Sequence, residues 1–143
     1  MGATADAAEQ QRQPGTRLGI QAGQVVQEIG YDEDCDSQLR ESIEALSGQA
    51  LVDEDYDDVV DVVLLWWRED DGDLVDALVD SLTPLAAGGV IWLLTPKAGR
   101  DRHVEPSDIE EAAPTAGLSA TRSTAVAPEW SGTRLVARKM GHR

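Results

Sequence analysis

Two long apolar runs dominate the pattern of hydrophobic and polar positions along the chain. They occupy residues 59–67 (VVDVVLLWW) and 90–96 (VIWLLTP). A strand that is apolar on both faces is typical of a parallel sheet covered by helices on either side, and the many valines favour a strand over a buried helix. Both runs are therefore predicted to be central strands. Residues 25–31 (VVQEIGY) are predicted to be a further strand that ends near a glycine.

The segments that connect these strands have the spacing of helices. Residues 36–48 place leucine and isoleucine on one face and begin with an aspartate suited to the N-cap. Residues 74–89 repeat leucine every three or four positions. We expect Pro84 to bend or shorten the last turn of this helix, and the glycines at 88–89 to end it. A shorter capped helix is predicted over residues 105–117.

The last part of the chain has a different pattern. Residues 118–139 alternate between apolar and polar positions in two runs around EWSG, as an antiparallel hairpin does. Trp130 lies at the turn of this hairpin and is expected to be half exposed, as an interface residue would be. A short strand is also expected at residues 50–52, before an acidic loop.

The order of these elements predicts an α/β fold. We expect a three-layer Rossmann-like sheet, mostly parallel, with a C-terminal antiparallel hairpin. This single domain would span residues 17–139, which suffices for a hydrophobic core. The Gln-rich residues 1–16 are predicted to be a disordered tail, and residues 140–143 a disordered end.

The charge of the chain excludes several classes of function. It has 12 Lys and Arg against 27 Asp and Glu, a formal net charge of -15. Such a surface repels nucleic-acid backbones and anionic membranes, so neither is an expected partner. No run has the apolar length of a membrane span, and the first residues lack the apolar core of a signal peptide. The expectation is a cytoplasmic protein whose partner is a protein, cationic in character, or a second copy in a homodimer.

Three acidic runs follow predicted strands or precede predicted helices, at residues 32–36, 53–58 and 69–73. None has the spacing of a calcium-binding loop, so no metal site is assigned, and solvated loops that aid solubility are the simplest explanation. Loops at the carboxyl ends of parallel strands lie at one edge of the sheet, where α/β proteins usually bind ligands. If the runs meet there, they suit a cationic partner, with weak binding of a divalent cation as an alternative.

Aromatic and cationic side chains supply further candidate contacts for a ligand or partner. The indoles of Trp66 and Trp67 should point to opposite faces of their strand, and Trp92 should lie in the core. The single cysteine, Cys35, lies between two aspartates that should raise the pKa of its thiol. The candidate contacts are Trp66, Trp67, Lys97, Arg100, Arg102 and His103.

Several segments resemble class I S-adenosylmethionine-dependent methyltransferases. VVQEIG resembles their first strand, YDDVVDVVLLWW their fourth strand, and LTPLAAGGVIWLLTP the helix, turn and fifth strand that follow. The segment IEEAAPTAGLSATRSTAVAPEWSGTRLVARK resembles their last helix and final antiparallel strands. The whole chain also resembles a small actinobacterial family of unassigned function, through GQVVQEIGYDED, DEDYDDVVDVVLLWWR and GGVIWLLTPK.

The methyltransferase resemblance implies where a cofactor would bind. In that family the first strand leads into a turn of the form E-x-G-x-G, which Glu28 and Gly30 match in part. Tyr31 and the acids at 32–34 occupy the positions that follow. The acid that binds ribose hydroxyls in the family would correspond to Asp53 or Glu54. The candidate cofactor contacts are therefore Glu28, Gly30, Tyr31 and Asp53.

The departures from that pattern favour a protein without a cofactor. Bulk and negative charge follow Gly30, where bare backbone would have to meet the ligand and its carboxylate, and the chain is shorter by one strand-helix unit. We expect a non-catalytic binding or regulatory module that uses an acidic strand-end face. One alternative is a small methyltransferase-like enzyme that binds a nucleotide-type cofactor such as S-adenosylmethionine. Another is an acidic decoy for nucleic-acid-binding proteins.

Overall fold

A computed structural model describes residues 17–121 and 123–137 of the chain. The predicted N-terminal tail and the predicted disordered end at 140–143 lie outside these residues. The strands are β1 (Val26–Ile29), β2 (Val60–Trp66), β3 (Leu85–Pro96), β4 (Leu118–Ala120), β5 (Thr124–Ala127) and β6 (Trp130–Ala137). The helices are α1 (Ser37–Ser47), α2 (Leu74–Leu82) and α3 (Pro106–Thr115). Within residues 17–121 and 123–137, none of the helices has the length and apolar character of a membrane-spanning segment.

The six strands form one mixed sheet in the order β1-β2-β3-β6-β4, and β5 pairs with β6 beside β4. Strands β1, β2 and β3 are parallel, whereas β6 is antiparallel to β3, β4 and β5. The α/β class is confirmed, but the expectation of a mostly parallel sheet is only partly met. The reason is that β4 and β5 both pair with β6, each along a different part of it. The sheet therefore has three strands in its antiparallel half and three in its parallel half.

The second helix is shorter than its leucine pattern predicted. Helix α2 ends at Leu82, and β3 already begins at Leu85, which pairs with Val60 of β2. Proline has no N–H to continue a helix, and the carbonyl of Pro84 instead accepts a hydrogen bond from the N–H of Val60 at 2.9 Å. The glycines at 88–89 therefore lie inside β3 rather than at a helix end. A Cβ at Gly89 would lie 2.8 Å from the carbonyl oxygen of Asp61, so this strand pairing needs glycine.

The strand predicted at residues 50–52 is reduced to a single bridge beside β1. The N–H of Val52 donates to the carbonyl of Val26 at 2.9 Å, and the N–H of Glu28 donates to the carbonyl of Val52 at 2.8 Å. One residue thus covers the outer edge of β1, and the acidic loop begins immediately after it. This position brings residues 53–58 next to the carboxyl end of β1.

Helices pack on both faces of the sheet, as a three-layer fold requires. Buried side chains of α2 and α3, such as Leu78 and Ile109, share one apolar cluster with one face of the sheet. Leu39 and Ile43 of α1 lie in the cluster on the other face. Asp36 caps α1 as predicted, because its side chain accepts a hydrogen bond from the N–H of Leu39. The two helical layers leave the strand ends as the accessible edge of the sheet.

The four tryptophans are all largely buried. Trp66 and Trp67 are 0% and 9% exposed and belong to opposite clusters, as predicted for adjacent residues in an extended segment, and Trp92 is a core residue. The prediction for Trp130 is wrong, since it is 1% exposed. Its Nε1 donates to the carbonyl of Asp34 at 3.2 Å, and its ring meets that of Trp66 edge to face at 4.8 Å between centroids. Trp130 therefore closes the core at the strand ends rather than marking an exposed turn.

Candidate functional site

The turn after β1 is held by contacts within the chain. Gly30 has a φ of 82°, and a Cβ there would lie 2.4 Å from the carbonyl oxygen of Trp66. Its N–H donates to Oε2 of Glu54 at 2.8 Å, and its carbonyl accepts a hydrogen bond from Nη1 of Arg68 at 2.9 Å. Glycine is thus needed here for the close approach of β1 to β2. Both backbone polar groups of Gly30 already have partners.

Arg68 is the central cation of this edge. It follows β2 and is 3% exposed, and its Nη2 and Nε donate to the two carboxylate oxygens of Asp34 at 2.5 and 3.1 Å. Asp71 accepts hydrogen bonds from the backbone N–H of Arg68 at 3.0 Å and from its Nη1 at 3.4 Å. Burial by itself would lower the pKa of the Arg68 guanidinium, but the bonds to Asp34 outweigh it and leave that pKa raised. The hydrogen bonds from Arg68 hold the pKa of Asp34 below its usual value.

A second charged cluster lies on the α1 side of β1. Glu28 is 8% exposed, and both of its carboxylate oxygens accept hydrogen bonds from Arg40, at 2.6 and 2.8 Å. Nε1 of Trp66 also donates to Glu28 at 2.9 Å, and the guanidinium of Arg40 lies 4.3 Å from the ring centre of Tyr31. The bond to Glu28 raises the pKa of Arg40. The carboxylate of Glu28, a candidate cofactor contact, is therefore engaged inside the chain.

Of the two acids that could follow the family's ribose-binding position, Glu54 is the one that reaches the turn after β1. Its carboxylate bonds to Gly30, whereas the carboxylate of Asp53 accepts a hydrogen bond from the N–H of Asp55 in its own loop at 3.0 Å. The carbonyl of Asp53 accepts a further bond from Nε2 of Gln27 at 3.0 Å. Tyr31 is exposed beside this turn.

The loop after β3 contributes one of its predicted contacts to this site. Nη2 of Arg102 lies 3.3 Å from Asp34, and its Nη1 lies 3.7 Å from Asp70. Arg100 instead pairs with Glu129 at 2.8 Å, and the backbone N–H of Lys97 donates to the carbonyl of Glu129. These bonds tie the loop to the turn between β5 and β6.

His103, another of the candidate contacts, is held by a hydrogen bond to the end of β3. Nδ1 of His103 lies 2.7 Å from the carbonyl oxygen of Pro96, a pair in which Nδ1 carries the proton and donates. Its ring therefore braces the loop that leaves β3. The sequence reasoning missed Arg40 and Arg68, whose only signal is that each is a cation close to an acidic run.

The thiol of Cys35 is free and half-buried. Its pKa is raised to about 11, chiefly by burial, with the charge of Asp34 adding to the effect. The predicted direction is confirmed, although desolvation rather than the flanking acids is the main cause. Sγ accepts a hydrogen bond from the N–H of Asp32 at 3.3 Å and lies 3.4 Å from Nη2 of Arg68.

We expect Cys35 to react with iodoacetamide at pH 8 about a hundredfold more slowly in the folded protein than in urea. The thiolate is the reactive form, and a pKa near 11 leaves about one thiol in a thousand ionised at that pH. Because the chain has one cysteine, mass spectrometry of the whole protein reports this rate directly. A rate that reaches its plateau near pH 9 would contradict the assignment.

Two grooves open beside this charged edge. The strand-end groove, about 430 Å³ in volume, lies at the carboxyl ends of β1 and β2, and its lining includes Gly30, Tyr31, Asp32, Glu54, Trp67 and Asp71. It thus holds one acid from each of the three acidic runs. The side groove, about 620 Å³, lies between β1 and the end of α2, and its lining includes Gln27, Ile29, Glu54, Tyr56, Val59 and Asp80.

The two grooves are neighbours, since Ile29, Glu54 and Asp80 line both. Across residues 17–121 and 123–137, no group of three His, Cys, Asp or Glu side chains is arranged to hold a metal ion. The acids around the grooves supply negative charge and hydrogen-bond acceptors.

Sequence comparison connects the chain to proteins from mycobacteria. Residues 15–139 match the family described as protein of unknown function, DUF3052. An uncharacterized protein of Mycobacterium tuberculosis is 53% identical over 135 residues, which cover 94% of this chain and 85% of that protein. An uncharacterized protein of Mycobacterium bovis gives the same identity and coverage.

Comparison with solved structures identifies the fold. The CcbJ methyltransferase from Streptomyces caelestis superposes with a TM-score of 0.57 at 11% identity, covering 91% of this chain and 95% of that one. A SAM-dependent methyltransferase from Aquifex aeolicus gives 0.51 at 13% identity, covering 85% and 88%. Magnesium protoporphyrin IX methyltransferase from Synechocystis, with bound SAM, gives 0.53 at 10% identity, covering 92% and 81%. At these identities the likeness shows a methyltransferase-like fold and nothing about activity.

Proposed function

This chain belongs to the family described as protein of unknown function DUF3052, and from that premise we propose that it is a non-catalytic binding or regulatory module. Its acidic strand-end face, formed by the acidic runs at 32–36, 53–58 and 69–73, binds a cationic protein partner. The observation that carries this proposal is that both backbone polar groups of Gly30 are hydrogen-bonded within the chain. The backbone groups that a cofactor would meet at this turn already bond to Glu54 and Arg68.

The charge at the turn supports the same conclusion. A carboxylate, that of Glu54, lies 2.8 Å from the N–H of Gly30. An anionic group of a ligand would have to displace this carboxylate and would be repelled by the exposed acids around it. Arg68 is the cation that could attract such a group. Its guanidinium already donates hydrogen bonds to Asp34, Asp71 and the carbonyl of Gly30.

The exposed surface around the turn suits a partner of opposite charge. Asp32, Glu54 and Asp71 come from three separate runs and line one groove. Their side chains are exposed or partly exposed, so an approaching cation need not strip a buried charge of its water. Long-range attraction of this kind accelerates encounter and confers specificity more than raw affinity.

We expect a fluorescent peptide of alternating lysine and glycine to bind the protein at low salt. Fluorescence anisotropy should show at least a tenfold weaker affinity when the salt is raised from about 50 mM to about 0.5 M, because exposed charges are screened over a Debye length. A peptide of the same length with glutamate in place of lysine is the matched control and should not bind. Absence of binding by the lysine peptide at low salt would refute the proposed function.

A second candidate is a small methyltransferase-like enzyme, and the strand-end groove is the observation that favours it. The groove lies at the carboxyl ends of parallel strands, where α/β folds usually bind ligands, and Trp67 offers an aromatic surface there. Titration with S-adenosylmethionine or S-adenosylhomocysteine distinguishes the candidates, because a ligand bound at a hundred times its Kd stabilises the fold by about 2.7 kcal/mol. A rise in melting temperature with either compound would favour the enzyme.

An acidic decoy would depend on net charge alone. In that case the lysine peptide would bind with equal affinity to the native chain and to a variant whose acids on the strand-end face are neutralised while an equal number of carboxylates is added elsewhere.

A further inference from the structure

The side groove contains a buried acceptor without a donor. The side chain of Gln27 is part of a residue only 3% exposed, and its Oε1 has no hydrogen-bond partner among the described residues. Its Nε2 donates to the carbonyls of Asp53 at 3.0 Å and Tyr56 at 3.4 Å. Exchange of the amide oxygen and nitrogen would place an acceptor against two carbonyls, so these bonds fix the orientation of the amide. Gln27, which lines the side groove, therefore has an unmet demand for a hydrogen-bond donor.

The walls of the side groove are apolar and its rim is acidic. Ile29, Tyr56 and Pro84 supply hydrocarbon surface between β1 and the end of α2. Carboxylates of Asp57, Asp58 and Asp80 line the same groove. Val59 also lines it and is 59% exposed, one of three large apolar side chains exposed in the described part of the chain. An occupant that matches this surface has a hydrocarbon stem and a cationic donor at its end.

We propose that the side groove receives a basic side chain, lysine or arginine, from the cationic protein partner. The stem of that side chain packs against Val59 and Tyr56, and its charged head donates hydrogen bonds to Gln27 and to the carboxylates of the rim. This inference rests on the proposed function and adds to it a single anchoring residue.

The decisive comparison uses two matched variants and the lysine-glycine peptide. Val59→Arg places a cation of the chain's own at the groove, whereas Val79→Arg places the same charge on α2 outside it. Both valines are exposed, at 59% and 46%, so both variants should fold. We expect Val59→Arg to weaken peptide binding at least tenfold and Val79→Arg less than threefold. Equal losses would overturn the inference, while salt-sensitive binding by both would leave the proposed function standing.

A second pair of variants removes a carboxylate instead of adding a cation. Asp80→Asn removes a carboxylate from the groove, and Asp76→Asn removes one from the same helix at a position that does not line it. Asp80→Asn should weaken peptide binding at least threefold and Asp76→Asn should leave it almost unchanged. Equal effects would speak against a groove-bound head.

The side-chain amide resonances of Gln27 provide a direct readout in nuclear magnetic resonance. They should shift on addition of the lysine peptide and not on addition of its lysine-acetylated form, which lacks the charged head. Peptide binding without such a shift would overturn the inference. If spermidine produces the shift and the peptide does not, the groove is a site for free amines and the inference is likewise overturned.

Discussion

Replacement of Gly30 by alanine is expected to lower the free energy of unfolding by about 3 kcal/mol or more. The φ of 82° at this position strains any residue with a Cβ, and the new methyl group would lie 2.4 Å from the carbonyl oxygen of Trp66. Trp66 is the last residue of β2 and is fully buried, so the oxygen has little room to withdraw. Urea denaturation followed by circular dichroism measures the loss.

Gly23→Ala is the matched control for this substitution. Gly23 has a similar φ of 87°, but a Cβ there would meet no atom within 4 Å. The control therefore carries the backbone strain without the clash, and it should cost roughly 1 kcal/mol. If the two variants lose the same stability, the close approach of β1 to β2 at Gly30 is not what requires glycine.

Arg68→Met is expected to cost about 3 kcal/mol of stability. The methionine fills similar volume but removes the guanidinium donors to Asp34, Asp71 and the carbonyl of Gly30. Asp34 keeps its contact with Arg102, and Asp71 keeps the backbone N–H of residue 68. Asp34 and Asp71 remain partly exposed, with side-chain exposures of 30% and 31%, so water compensates for part of the loss and the effect lies at the low end for a broken buried pair. Arg100→Met is the control, because its pair with Glu129 is exposed and should contribute less than about 1 kcal/mol.

The pH dependence of the stability lost in the Arg68→Met variant tests whether Asp34 is the main partner of Arg68. The pKa of Asp34 is lower in the folded than in the unfolded chain, so its pairing stabilises the fold fully above the unfolded value of 3.8. That contribution is lost as the pH falls through the depressed folded pKa. The difference in stability between the native chain and the Arg68→Met variant should therefore shrink below about pH 4. A difference that stays constant down to pH 2 would show that Asp34 is not the partner that matters.

Hydrophobic periodicity predicted the parts of the fold that depend on local pattern. The nearly all-apolar run at residues 59–67 became a buried strand that ends at Trp66, and Asp36 became the cap of α1. The opposite directions of Trp66 and Trp67 followed from strand geometry. These features are set by residues close together in the chain.

The features that the pattern missed depend on distant contacts. Leucine spacing continued past Pro84, but pairing with Val60 drew Leu85 into a strand. The local sequence around Trp130 indicated an exposed turn, but its ring is buried against Trp66 and its Nε1 donates to the carbonyl of Asp34. Arg68 belongs to an acidic stretch in the sequence, and its partner Asp34 lies 34 positions away. No local pattern can indicate such pairings.

The distribution of the four indoles makes the two sides of the sheet separately visible by spectroscopy. Trp66, Trp92 and Trp130 all lie in the cluster beneath α1, whereas Trp67 alone lies in the cluster beneath α2 and α3. Emission from the intact chain is thus weighted toward one layer. A chain that keeps only Trp67 would report on the opposite layer, next to the strand-end groove. Tryptophan fluorescence could therefore follow the loosening of each side of the sheet separately during unfolding.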